Sequence, residues 1–166
     1  MELQGVRELL AEQEKCLRFA RFDANAAWAL GKLMAETVLG RGLKLSVALR
    51  SATGHTLFQF SADGTTRNNQ NWMNRKLNAV LLMEQSSLAS YVDAQLRGEG
   101  VERHGLDPRE YVFCGGGFPI RLAGGELVGV ALASGLPHLE DHAFLVDCLS
   151  EFLGVDAPRL GTSEDI

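Results

Sequence analysis

The sequence predicts one α/β domain of the α+β type, in which helices cover a mainly antiparallel sheet of about five strands. Three observations point there. Two pairs of strand-like segments are joined by tight turns, 44–50 to 55–60 across Thr53-Gly54 and 118–122 to 126–134 across Gly124-Gly125. Connections that short force antiparallel pairing. Stretches with a helical apolar rhythm flank and separate these hairpins. No linker, internal repeat or low-complexity run divides the 166 residues, a length at which one core forms without staples.

Each element has a local cause. Residues 3–15 repeat Leu3, Val6, Leu9 and Leu10 at helical spacing, and 17–22 alternate as a short strand. Asp23 caps a long helix carrying Ala26, Ala27, Leu30, Leu33, Met34 and Val38, and Gly40-Arg41-Gly42 ends it. Leu45, Val47 and Leu49 point one way in the next strand, which returns as His55 to Phe60 and gives way to a polar loop at 61–67. Helices are expected over 69–84 and, restarted by Ser86 or Ser87, on to Leu96. The charged stretch 97–110 holds a turn at Gly105-Leu106-Asp107-Pro108. Tyr111 to Cys114 reads as a strand, separated from Phe118 to Leu122 by three glycines. Glu126 to Ser134 is apolar enough for a central strand. Pro137 opens the last helix, faced by Leu139, Ala143, Val146, Leu149 and Leu153. The domain is expected to span 1–153, with 154–166 a polar, mobile tail.

Composition narrows the function. Hydrophobic residues make up 46% and charged residues 22%, and the net charge is -5. An acidic chain is a poor match for nucleic acid or an anionic membrane surface, both of which call for basic patches. No run approaches the ~20 apolar residues of a membrane span. The amphipathic start MELQGVRELLAEQEK lacks the apolar core of a signal peptide. Cys16, Cys114 and Cys148 are scattered, with no CxxC, so neither a disulfide framework nor a metal site is expected. A reducing cytoplasm suits such thiols.

Three stretches could carry chemistry. In Gly115-Gly116-Gly117-Phe118-Pro119 the glycines allow positive φ and close approach of another group, either to bend the strand or to turn N–H groups towards an anion. In His138-Leu139-Glu140-Asp141-His142 the two histidines share a helical face. His142 falls on the apolar stripe, where a buried, hydrogen-bonded imidazole is the ordinary occupant. In Asn68-Asn69-Gln70-Asn71-Trp72-Met73-Asn74-Arg75-Lys76, Asn68, Trp72 and Lys76 repeat every four residues beside Arg75. Such a stripe suits a flat anionic ligand, a subunit contact or a solvated helix face. No GxSxG, P-loop or paired catalytic carboxylates are present.

Together N-N-x-x-W-x-x-R-K at 68–76, G-G-G-F-P-I-R at 115–121 and V-G-V-A-L-A-S-G-L-P-x-x-E-D-H at 128–142 resemble the haem-degrading, GlcG/HbpS-like domain family. The likeness runs from Phe19 to Leu153 and is nearest to a small cytoplasmic branch of that family. It implies a profilin-like α/β/α domain around a five-stranded sheet, assembled as homo-oligomers. It also implies haem or a related tetrapyrrole as ligand. The matching positions are Trp72, Arg75, Lys76, Gly116, Gly117, Pro119, Ser134, Gly135, Asp141 and His142. Asn68-Asn69 replaces the Asp-Asn common in the branch.

These readings converge on one expected pocket, formed by the glycine strand, the start of the last helix and Trp72, Arg75 and Lys76. A small-molecule-binding oligomer is the first expectation. The alternatives are an interaction or scaffold oligomer, and an enzyme using His142 as acid or base with Asp141 orienting it and Arg75 or Lys76 holding an anion.

Overall fold

The computed structural model describes residues 1–161 and 166. Its sheet has five strands: β1 (Arg18–Phe19), β2 (Ser46–Ser51), β3 (Thr56–Ser61), β4 (Gly117–Leu122) and β5 (Leu127–Ser134). Their order is β1-β4-β5-β2-β3. Both expected hairpins form, and β2 and β5 also pair antiparallel at the centre. Only β1 runs parallel to its neighbour, Arg18 opposite Arg121 and Phe19 opposite Leu122.

The helices are α1 (Leu3–Cys16), α2 (Ala24–Gly40), α3 (Arg67–Met83), α4 (Ser87–Arg97) and α5 (His138–Leu153). The strand period of two sorts the core into layers. In β5, Ala131 and Ala133 join the cluster under α2 and α5, whereas Val130 and Leu132 join the one under α3. In β2, Val47 and Leu49 go to the first face and Ala48 to the second. The sheet is thus covered on both faces. Val6 and Leu10 of α1 pack with Leu88, Ala89 and Val92 of α4 in a third cluster, which Leu139 of α5 touches. Each large side chain buried this way contributes about 1.5–3 kcal/mol.

Caps place the helices where the sequence signals them. Asp23 accepts the Ala26 N–H and Ser86 accepts the Ala89 N–H. Thr66 and Asn69 form a capping box, so α3 starts two residues before the apolar rhythm does. Pro137 stands just before α5 and its carbonyl accepts the Asp141 N–H.

Two strand expectations need correction. The segment 17–22 keeps only Arg18–Phe19 as strand, because Asp23 draws the following residues towards the α2 cap. Tyr111 to Cys114 is not a strand. Gly116 turns the chain with φ 121°, so pairing begins at Gly117, and a short 3-10 turn at Val101–His104 precedes this segment. Of the expected mobile tail, 162–165 lie outside the described residues. Ala157 packs into the core and the Pro158 carbonyl accepts from Gln13 Nε2 at 2.8 Å. Among the described residues no helix is long and apolar enough to cross a membrane.

Candidate functional site

A cavity of about 340 Å³ opens where α3, the end of β5 and the start of α5 meet. Its floor is a buried ion pair. Lys76 Nζ donates to Asp141 Oδ2 at 3.1 Å and to the Ala133 carbonyl at 2.8 Å, and both side chains are 3% exposed. Asp141 Oδ1 accepts the Leu136 N–H at 2.9 Å. Burial pushes the Asp141 carboxyl up, and Lys76 and the Leu136 N–H pull it back. These bonds tie three elements together at the pocket's base.

The glycine run makes room for this arrangement. A Cβ on Gly116 would overlap the Ala133 carbonyl and lie 2.5 Å from Lys76 Nζ. One on Gly117 would lie 2.8 Å from Val80 Cγ2. Gly115 N–H donates to His138 Nδ1 at 3.1 Å, and Gly117 N–H donates to Ser87 Oγ at 2.9 Å. Those two N–H groups are therefore spent inside the protein rather than turned towards an anion. Close packing, the bland reading of three glycines, is what they serve.

The walls differ in chemistry. The half-buried Trp72 ring forms one side, with Leu136, Gly135 and Ser134 across it and Asn68 at the rim. Asn69 donates to the Ser134 carbonyl at 3.2 Å and holds that rim to β5. His138 forms another wall, its ring edge-on to Tyr91 at 4.8 Å. Burial and the Lys76 charge lower its pKa, so the ring is neutral. Nδ1 accepts from Gly115, so the proton is on Nε2. Cys114 also lines the cavity, and burial raises its thiol pKa.

Of the residues singled out in the sequence, Asn68, Asn69, Trp72, Lys76, Ser134, Gly135, His138 and Asp141 line this cavity, and Gly116 packs directly behind it. Arg75 does not. Its guanidinium lies 4.4 Å above the Trp72 ring and donates to the Pro108 carbonyl at 2.9 Å, bordering a separate hollow of about 220 Å³. Pro119 is buried in β4 opposite Val130. His142 is 1% exposed and lies behind the cavity. Its Nε2 is 2.7 Å from Gln13 Oε1, and Gln13 Nε2 is already given to Pro158. Nε2 must therefore donate. Burial, with His138 nearby, lowers the His142 pKa to about 3. An acid or base role at the cavity does not fit that placement.

In the sequence His138 is marked only by the helical face it shares with His142, and Cys114 only as a scattered thiol; the turn at Gly116 is what sets Cys114 beside the cavity. Gln13, the partner of His142, had a signal: a polar residue on the buried stripe of α1 after Val6 and Leu10. Among the described residues no three histidine, cysteine or acidic side chains gather as a metal site.

A family model described as haem degrading protein HbpS-like matches residues 22–150. The chain belongs to that family. Relatives match the chain in sequence over nearly their full length. A UPF0303 protein of Rhizobium etli is 40% identical over 156 residues, covering 93% of either chain. One from Serratia proteamaculans is 38% identical over 161 residues, covering 96% of this chain and 99% of its own. Among solved structures, the Ybr137w protein superposes with a TM-score of 0.84 at 24% identity, over 92% of this chain and 94% of that one. HbpS itself gives 0.64 at 19% identity, over 82% and 93%. A complex of PduOC with haem gives 0.61 at 16%, over 78% and 93%. At these identities the structures share the fold. Within the matched region, Lys76 bonded to Asp141, with the glycines packed beside them, holds the cavity's frame.

Proposed function

We propose that this HbpS-like chain binds a flat organic ligand of the tetrapyrrole class in the Trp72–His138 cavity, working as a homo-oligomer. One observation carries the reading: a pocket with an aromatic wall, an unused imidazole N–H and a buried, charge-balanced floor. The family description and the haem complex of the PduOC relative supply the ligand class. Trp72 offers a stacking face already backed by Arg75. His138 Nε2–H and the Asn68 amide suit carboxylate or carbonyl groups on the ligand's edge. A volume of about 340 Å³ is at the small end for ligand sites, so a macrocycle would enter edge first and stay partly exposed.

The residues suit a porphyrin's face but not its iron. An axial imidazole must present an unprotonated nitrogen. His138 has its unprotonated nitrogen turned inward to Gly115, and His142 is buried against Gln13. Burial keeps Cys114 as a thiol. Lys76 is engaged by Asp141. The ligand is therefore held by stacking and hydrogen bonds. A Trp72→Ala variant with unchanged circular dichroism tests this. Binding of hemin and of metal-free protoporphyrin IX should both weaken by about tenfold, the equivalent of roughly 1.4 kcal/mol. Affinity unchanged by the substitution would place the ligand elsewhere.

A further inference from the structure

The geometry points to a two-fold interface built by β3 and α2 of two copies of this chain, joining their sheets edge to edge. It rests on the homo-oligomer reading but not on the ligand, so failure of tetrapyrrole binding would leave it standing.

The exposed edge has a free hydrogen-bonding row. In β3 the Ala62 N–H just past the strand is donated to Leu45, and pairing alternates inward from there. Phe58 and Phe60 thus bond to β2, leaving the backbone groups of Gln59 and Ser61 facing out, and the register shifts before Phe58. The strand Thr56–Ser61, TLFQFS, contains no charge and no proline. Charge and proline are two of the usual means by which proteins protect such edges; a third, a bulge, lies only at the start of β3, opposite Arg50, and Phe58 to Ser61 pair in regular register. The opposite edge, β1, is two residues long.

The groups beside this edge match a second copy of themselves. A two-fold axis at Gln59 lets the two Gln59 residues exchange both backbone bonds. It sets Phe58 opposite Phe60 of the second copy, on the face covered by α2. Helix α2 runs alongside, with its Trp28 ring 6.1 Å from Phe58 and Leu39 bordering a hollow with Phe60 and Ser61. Trp28 and Leu39 are 65% and 64% exposed, the two most open large apolar side chains outside Met1. They are eleven residues apart on one helical stripe, and Lys32 and Glu36 lie between them. The same axis brings Trp28 to Leu39 of the second copy, and Lys32 near its Glu36. Apolar ends and an oppositely charged middle make the stripe self-complementary when antiparallel. A continuous sheet and paired helices would then cover both features at once.

Light scattering of the full chain, at several concentrations, reads the outcome. The wild type should be a dimer or an even-numbered assembly. Trp28→Glu and Leu39→Glu, both at exposed positions, should each weaken association at least about tenfold while circular dichroism stays unchanged. Lys32→Glu should weaken it, and Lys32→Glu with Glu36→Lys should restore it, since the swap returns the charge pairing. A wild type that stays monomeric throughout overturns the interface. So does an assembly indifferent to Trp28→Glu and Leu39→Glu, which would have to use another face.

Discussion

Lys76 and Asp141 are the residues on which the pocket depends most. Each is almost wholly buried and each is the other's charge partner. Removing one leaves an unpaired charge in the interior, which costs about 3–5 kcal/mol. Urea unfolding of Lys76→Met should show a loss of that size. The double variant Lys76→Met/Asp141→Leu should recover much of it, because no buried charge then remains. Equal losses in the single and double variants would mean the pair does not act as a unit. His142 makes a separate prediction. Its folded pKa of about 3 is depressed from 6.5, so the unfolded chain takes up a proton that the folded chain refuses. Stability should therefore be fully present above pH 6.5 and fall as pH drops through the window towards 3, by up to about 1.4 kcal/mol per unit. His142→Asn should have a flatter urea midpoint over that window. Identical slopes in the two proteins would show that His142 does not stay neutral.

The element that shapes the site is the turn from Cys114 into β4. Gly116 combines φ 121° with a position where an added Cβ would run into both Lys76 Nζ and the Ala133 carbonyl. Gly116→Ala should destabilise by at least about 1–3 kcal/mol from the backbone conformation alone, with overlap adding to it. A melting temperature within experimental error of the wild type would refute this account of the glycines. The sequence carried part of this turn legibly. Three consecutive glycines announced geometry, and the turns at Thr53-Gly54 and Gly124-Gly125 announced the hairpins. The reach of Tyr111 to Cys114 was misread because its apolar, aromatic composition suits a strand and an irregular pocket wall equally well. Likewise, 17–22 alternated as a strand should, yet the helix cap at Asp23 decided where pairing stopped.

At the scale of the molecule, strand pairing and a helix-covered sheet were written in turns and periodicity, and the family resemblance implied the α/β/α arrangement. The pocket was readable only in outline. Asn68, Trp72 and Lys76 share a stripe by helical spacing, which is local information. That Lys76 meets Asp141 depends on how α3 and α5 cross the ends of the sheet, and no local pattern encodes it. Adjacency to Lys76 groups Arg75 with the pocket and the family resemblance groups His142 with it, yet a turn of 100° per residue sends helix neighbours to different surroundings. The fold thus sets Lys76 and Asp141 as a frame, with Trp72 and His138 on the cavity's walls.

In the proposed binding mode this frame holds a tetrapyrrole without axial histidine. The most direct measurement is a paired titration of the wild type with hemin and with metal-free protoporphyrin IX, following absorbance and tryptophan fluorescence. Saturable binding of both, with dissociation constants within about threefold of each other, is the predicted result. Hemin binding about a hundredfold tighter than protoporphyrin, roughly 2.7 kcal/mol, would show that the iron is ligated and contradict the account. So would the absence of saturable binding by either.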